Sequence, residues 1–253
     1  MSFIIEVCCD SFQSVVNAGK SKADRIEICS GLGLGGVTPG ISFALRSRDC
    51  FKKKIHVLIR PRAGNFKYSA EEFDIICEDI KQFKSLGIDG IVAGVLKDNG
   101  EVDIKRTTEL VNLAKPMTFT FSRAFDFCID PNKAANDVIK CGANRILTSG
   151  MKKSVNDGLK NIQLLQKNFG DKIIIMPGGG LNIKNACLLT GEGIKEFHLS
   201  ASVFKEYDEI INSELVNGFG YYQEEGKYGY VSADIRLINE LFNELILCNS
   251  NEK

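Results

Sequence analysis

Short apolar runs alternate with helix-like stretches along most of this chain, and that alternation restricts the fold more than anything else in it. The runs are Phe3–Cys8, Arg25–Cys29, Ile55–Arg60, Gly90–Gly94, Met117–Phe121, Arg145–Thr148, Lys172–Met176 and Glu196–Ser200. Each is about five residues long and rich in Ile, Val, Phe or Thr, as strands are. Between them, apolar residues recur at three- and four-residue spacing. Examples are Phe73, Ile76, Ile80 and Phe83, then Ala134, Val138 and Cys141, then Leu159, Ile162 and Leu165. That period belongs to amphipathic helices. Strand and helix in alternation predict parallel strands joined by right-handed crossovers.

A weak internal repeat narrows the choice. Similar turns precede the second, fourth, sixth and eighth runs: Ala23-Asp24-Arg25-Ile26, Gly87-Ile88-Asp89-Gly90-Ile91, Gly142-Ala143-Asn144-Arg145-Ile146 and Gly193-Ile194-Lys195-Glu196-Phe197. Glycine just past a helix end accepts the left-handed backbone that stops it. Eight strand–helix units in 253 residues predict one α/β domain, a (β/α)8 barrel of the TIM type. A doubly wound open sheet is the alternative, but no G-x-G-x-x-G follows the first run. The regular core covers about residues 1–204, and an irregular loop and a C-terminal helix fill 205–253. Gly218–Tyr222 and Gly226–Tyr230 read as a Gly/Tyr loop, and Ser232 as the cap of a last helix carrying Ile235, Ile238, Leu241, Phe242 and Leu245.

Composition excludes some functions. Lys plus Arg and Asp plus Glu each number 32, so the formal charge is zero and nucleic acid is not an expected partner. With 44% hydrophobic residues the chain can form a large core, and it needs no disulfides to fold. Nine cysteines, an odd number without framework spacing, point to reduced thiols in the cytoplasm. No signal peptide or membrane span is expected.

The helix side of a barrel strand is dry, so a charged strand residue should point inward. Glu6 then brings Cys8 to the interior, and Glu27 brings Cys29. Arg60 brings His56 and Leu58, and His198 shares its face with Ser200. Barrel enzymes keep their chemistry at the C-terminal strand ends. There this chain has Arg60-Pro61-Arg62, Ser122-Arg123-Ala124-Phe125-Asp126, Thr148-Ser149-Gly150, Pro177-Gly178-Gly179-Gly180 and His198-Leu199-Ser200. The expected result is one mouth with three arginines, several carboxylates and a histidine. Ordinary ion pairs such as Glu6–Arg60 or Glu27–Arg123 would also account for some of these charges.

These segments resemble the CutC family of copper homeostasis proteins. The resemblance rests on Glu6-Val7-Cys8-Cys9, Arg25-Ile26-Glu27-Ile28-Cys29, Gly35-Gly36-Val37-Thr38-Pro39, Arg60-Pro61-Arg62-Ala63-Gly64-Asn65-Phe66, Arg123-Ala124-Phe125-Asp126, Thr148-Ser149-Gly150 and Phe197-His198-Leu199-Ser200-Ala201. It runs in order to about residue 202. It implies a TIM-type barrel, a cytoplasmic location, a homodimer and a copper role with cysteine ligands. The family pattern usually has His before the Arg-Ala-Phe-Asp segment, where this chain has Ser122.

Two functions compete for the mouth. Cu(I) is soft and prefers thiolate and imidazole. Closing the barrel makes the eighth, first and second strands neighbours, which brings Cys8, Cys29 and His198 within reach of one ion. The two cysteines would serve equally as small core residues. In the other reading the barrel is an enzyme acting on a small anionic or phosphorylated metabolite. Arg60, Arg62 and Arg123 would grip the anion with Ser149, Gly178, Gly179, Gly180 and Ser200, while Glu6, Glu27, Asp126 and His198 supply acids and bases. The glycines would serve equally as a tight turn.

Overall fold

A computed structural model describes residues 3–207, 222–224 and 227–250. Eight parallel strands form the centre: β1 Ile4–Cys9, β2 Arg25–Ile28, β3 Lys54–Leu58, β4 Gly90–Ala93, β5 Thr118–Phe121, β6 Arg145–Thr148, β7 Ile174–Pro177 and β8 Glu196–Leu199. Their order is β7-β6-β5-β4-β3-β2-β1-β8, and β7 lies against β8, so the sheet is a nearly closed barrel. Seven helices alternate with the strands: α1 Phe12–Gly19, α2 Ile41–Cys50, α3 Ala70–Ser85, α4 Ile104–Ala114, α5 Pro131–Lys140, α6 Val155–Phe169 and α7 Ile183–Thr190. The fold is the expected (β/α)8 barrel.

The apolar set of each strand faces the helices. Ile5, Val7, Ile26, Ile28, Ile55, Val57, Ile91, Phe119, Phe121, Ile146, Ile175 and Phe197 are buried there with Phe73, Ile76, Ile80 and Phe83 of α3. The repeated turns have a common purpose. Asp24 accepts a hydrogen bond from Ile5 N (3.0 Å), Asp89 from Ile55 N (2.9 Å) and Asn144 from Phe119 N (2.7 Å). Each polar side chain thus satisfies a main-chain donor near the start of the preceding odd strand, which would otherwise be buried unpaired. Gly87, Gly142 and Gly193 take positive φ ahead of these turns, as their helix-ending position requires.

The segment after β8 differs from expectation. Ser202–Glu206 is β9, Tyr222–Glu224 is β10 and Lys227–Ala233 is β11, forming an antiparallel sheet in the order β10-β11-β9. Residues 227–230 are therefore strand and not loop, while Gly218–Tyr221 and Gly226 lie outside the described residues. Two contacts tie the end of β11 to α1: Asn17 Nδ2 donates to Ala233 O (2.7 Å), and Ala233 N donates to Ser14 Oγ (3.1 Å). The last helix, α8 Ile235–Ser250, buries Ile238, Leu241 and Leu245 between α7 and α1, so it completes the helical ring. Asp234, not Ser232, sits at its start and accepts from Arg236 N (2.7 Å). Cys187 of α7 and Cys248 of α8 form a disulfide, which corrects the expectation of nine reduced thiols. No described helix is long and apolar enough to cross a membrane.

Candidate active site and metal centre

The inward strand residues stack in layers along the barrel axis. Parallel register places Glu6 beside Arg25 and His198, and Glu27 beside Cys8 and His56. Arg25, Arg145 and Glu196 open β2, β6 and β8 and form the lower layer. Arg25 donates through Nε to Glu6 and through Nη2 to Glu196 Oε2 (2.5 Å), and Arg145 Nε donates to Glu196 Oε2 (3.1 Å). Above them, the Glu6 carboxylate lies 2.7 Å from His198 Nδ1 and 3.2 Å from His56 Nδ1. His56 Nε2 reaches Thr118 Oγ1 at 3.2 Å. Gly90 makes room for this ring: a Cβ there would fall 2.3 Å from His56 Cδ2.

Burial in this core would raise the Glu6 carboxyl, but the Arg25 guanidinium, the bond to His198 and the nearby His56 ring hold it well below the usual range. Burial depresses His56 toward the neutral ring. It works against charge on His198 as well, yet the Glu6 bond and the nearby Glu27 raise that imidazole above its ordinary value. The ion pairs are internal to the strands' own ladder. Glu6 is partnered by Arg25 and not by Arg60, and Glu27 makes no pair with Arg123.

Above this network a cavity of about 270 Å³ opens at the C-terminal strand ends. Cys8, Glu27, Cys29 and His198 form its floor, and Arg60, Arg123, Gly179, Gly180 and Ser200 line it higher up. Cys8 Sγ and Cys29 Sγ are 3.7 Å apart. Ligand atoms of Cys8, Glu27 and His198 lie within 4.8 Å of one another. Glu27 Oε2 is 3.4 Å from His198 Nδ1 but buried without a hydrogen bond. Burial pushes the Glu27 carboxyl up to about 8 against the pull of His198. Contact with Cys29, then burial, raises the Cys8 thiol well above its ordinary value.

Four expected mouth residues lie elsewhere, and Glu6 sits in the layer beneath. Arg62 turns outward to Glu72 (2.5 Å) and lines a separate surface cleft with Tyr68 and Arg106. A guanidinium with a partner on α3 gains nothing by crossing the rim, so the mouth has two arginines. Asp126 is consumed by its own turn. It accepts from Thr148 Oγ1 (2.5 Å), Ser149 Oγ (2.9 Å), Ser149 N (3.0 Å), Met151 N (3.0 Å) and Arg123 Nε (2.8 Å). Ser149 is fully buried in the same clamp. Gly178 is packed behind the mouth, where a Cβ would meet Leu147 at 2.6 Å and His198 at 3.0 Å. Ser122 caps the 3₁₀ turn Arg123–Phe127 by accepting from Ala124 N (3.2 Å), and it also borders the cavity.

Arg25, Arg145 and Glu196 were not expected in the interior. For Arg25 and Glu196 the signal was the same two-residue phase: Arg25 stands two before Glu27, and Glu196 two before His198.

Fold and mouth together define a single-domain TIM-type barrel with a paired-thiol and imidazole floor. The family model for the CutC family matches residues 3–203, and the chain belongs to that family. A CutC family protein of Bacteroides thetaiotaomicron is 38% identical over 238 residues, covering 93% of this chain and 96% of that protein. The copper homeostasis protein cutC homolog of Homo sapiens is 40% identical over 200 residues, 79% of this chain and 73% of that protein. The crystal structure of CutC from Streptococcus agalactiae superimposes with a TM-score of 0.74 at 28% identity, covering 78% of this chain and 98% of that one.

Proposed function

We propose that the protein serves copper homeostasis in the cytoplasm by binding Cu(I) as cargo at the barrel mouth, through Cys8, Cys29 and His198. The observation that carries this reading is the floor itself: two thiols 3.7 Å apart, with the His198 and Glu27 ligand atoms within 4.8 Å of Cys8. Two soft sulfur donors and an imidazole suit Cu(I) in low coordination number. Cys9, next in sequence, points to the opposite face of β1 among the helices and takes no part.

The surrounding residues prepare the donors. Glu6 engages Nδ1 of His198, which fixes the ring and leaves Nε2 to meet an ion, the usual carboxylate–histidine arrangement behind a metal. Arg25 in turn holds Glu6. The raised Cys8 thiol is protonated in the free protein, so loading must release protons, and affinity must fall as pH falls.

Titration of the anaerobic protein with Cu(I) against a chromophoric competitor tests this. One tight equivalent is expected. In the Cys8→Ser, Cys29→Ser double variant the affinity should fall by more than the ~10–100-fold that losing an outer-shell partner costs. Unchanged affinity in that variant, which keeps every other cysteine, would place copper elsewhere.

A further inference from the structure

The upper mouth carries positive charge that its own carboxylates do not balance. Arg60 is only 6% exposed, and no carboxylate among the described residues comes within ion-pair distance of it. Main-chain carbonyls hold it instead. Nη1 donates to Gly36 O (2.9 Å) and Leu34 O (3.3 Å), Nη2 donates to Gly64 O (2.6 Å), and the guanidinium stacks on the Phe66 ring at 4.6 Å. Its Nε is buried with no hydrogen-bond partner. A buried cation without a countercharge is costly, and one lining a cavity is positioned to receive that charge from a ligand.

Arg123 approaches the same cavity from the β6–β7 side. Asp126 takes its Nε and Ser149 Oγ its Nη2, so Nη1 has no hydrogen bond among the described residues. The guanidinium rests on Gly179, whose φ is +92°. A Cβ there would lie 2.7 Å from Nη1, so the loop can carry only glycine if Arg123 is to hold this pose. The five-donor clamp on Asp126 thus has a positioning role: it orients Arg123 toward the mouth. Arg60 is held by the loops that follow β2 and β3, and Arg123 by those that follow β6 and β7, on opposite sides of the mouth.

We propose that the upper mouth is a subsite for a small organic anion, a carboxylate or phosphate ester with a short apolar body, held between Arg60 and Arg123 with Ser200 at its side. Fixed guanidinium forks match carboxylate and phosphate oxygens. The apolar body would lie against Leu58, Val92 and Leu147. At about 270 Å³ the cavity falls below the ~300–1,000 Å³ of ordinary ligand pockets, so the occupant is small. The subsite uses neither thiol, and it stands whether or not copper binds below.

Thermal-shift titrations of the metal-free full chain with inorganic phosphate, pyruvate and malonate, at millimolar concentration and with chloride as the ionic control, test the proposal. At least one probe should raise the unfolding midpoint and saturate. A phosphate response and a carboxylate response distinguish the two headgroups. Arg123→Ala should weaken that binding about tenfold to a hundredfold. Arg123→Lys, which keeps the charge that Asp126 needs, should fold normally and still bind more weakly. Arg62→Ala, whose side chain faces the separate cleft beside Glu72, should bind as the parent does. The proposal is overturned if no probe exceeds chloride, if both Arg123 variants bind as tightly as the parent, or if Arg62→Ala weakens binding as much as Arg123→Ala does.

Discussion

Glu27 sits in an environment that opposes its charge. Its carboxyl is buried, one oxygen has no hydrogen bond, and its pKa is pushed up to about 8. The folded metal-free protein therefore retains a proton there that the unfolded chain loses above pH 4.5. Its contribution to stability is most favourable below pH 4.5 and declines as pH rises toward 8. At ~1.4 kcal/mol per pH unit this amounts to about 3 kcal/mol at neutral pH. Glu27→Gln mimics the protonated carboxyl and should escape the loss. Its melting temperature should exceed the parent's at pH 7.5, with the gap closing by pH 5. Equal curves for the two proteins across that range would show that Glu27 is ionised without penalty. At this scale the sequence was partly legible. Glu6, Glu27 and His198 stand inside apolar runs, so the two-residue period assigns them inward. Arg25, Arg145 and Glu196 are the first residues of their runs, beside polar turn residues, and for Arg25 and Glu196 the inward direction follows only from Glu27 and His198 two residues further on. Arg62 and Asp126 were read by proximity to a strand end, and only contacts with Glu72 and the Ser149 turn decide where they point.

Among the elements, the eight central strands were legible to within a residue or two at their ends, because each is a short, mostly apolar run bracketed by helical periodicity. Ile55–Arg60 overran β3 at its C-terminus, since Ile59 and Arg60 continue the apolar alternation after the ladder ends at Leu58. The β9–β11 sheet was missed because its glycines and tyrosines resemble a loop. Only antiparallel pairing such as Val231 with Phe204 makes it strand, and that partner is distant in sequence. The Cys187–Cys248 bridge was equally invisible, as it depends on α8 packing against α7. What ties the strands internally is Arg25 of β2, bonded to Glu6 of β1 and Glu196 of β8. Arg25→Leu would leave Glu6 with only the two histidines and Glu196 with only Arg145, and should destabilise the protein by ~3–5 kcal/mol. Urea unfolding at pH 7 measures it. A loss no larger than the ~1 kcal/mol of a surface pair would mean that the network is dispensable.

For the molecule as a whole, the barrel divides its interior by height. Beneath the mouth two acids and two arginines balance one another, Glu6 and Glu196 against Arg25 and Arg145. That balance allows a histidine, a strained acid and two thiols to face one small cavity, with two arginines above them. X-ray absorption at the copper edge, on the full chain loaded with one equivalent of Cu(I), reads the floor directly. Two sulfur scatterers and one imidazole nitrogen are predicted, with the sulfur shell lost in Cys8→Ser, Cys29→Ser. A first shell of nitrogen and oxygen only, or a sulfur shell that survives in the double variant, would contradict the account.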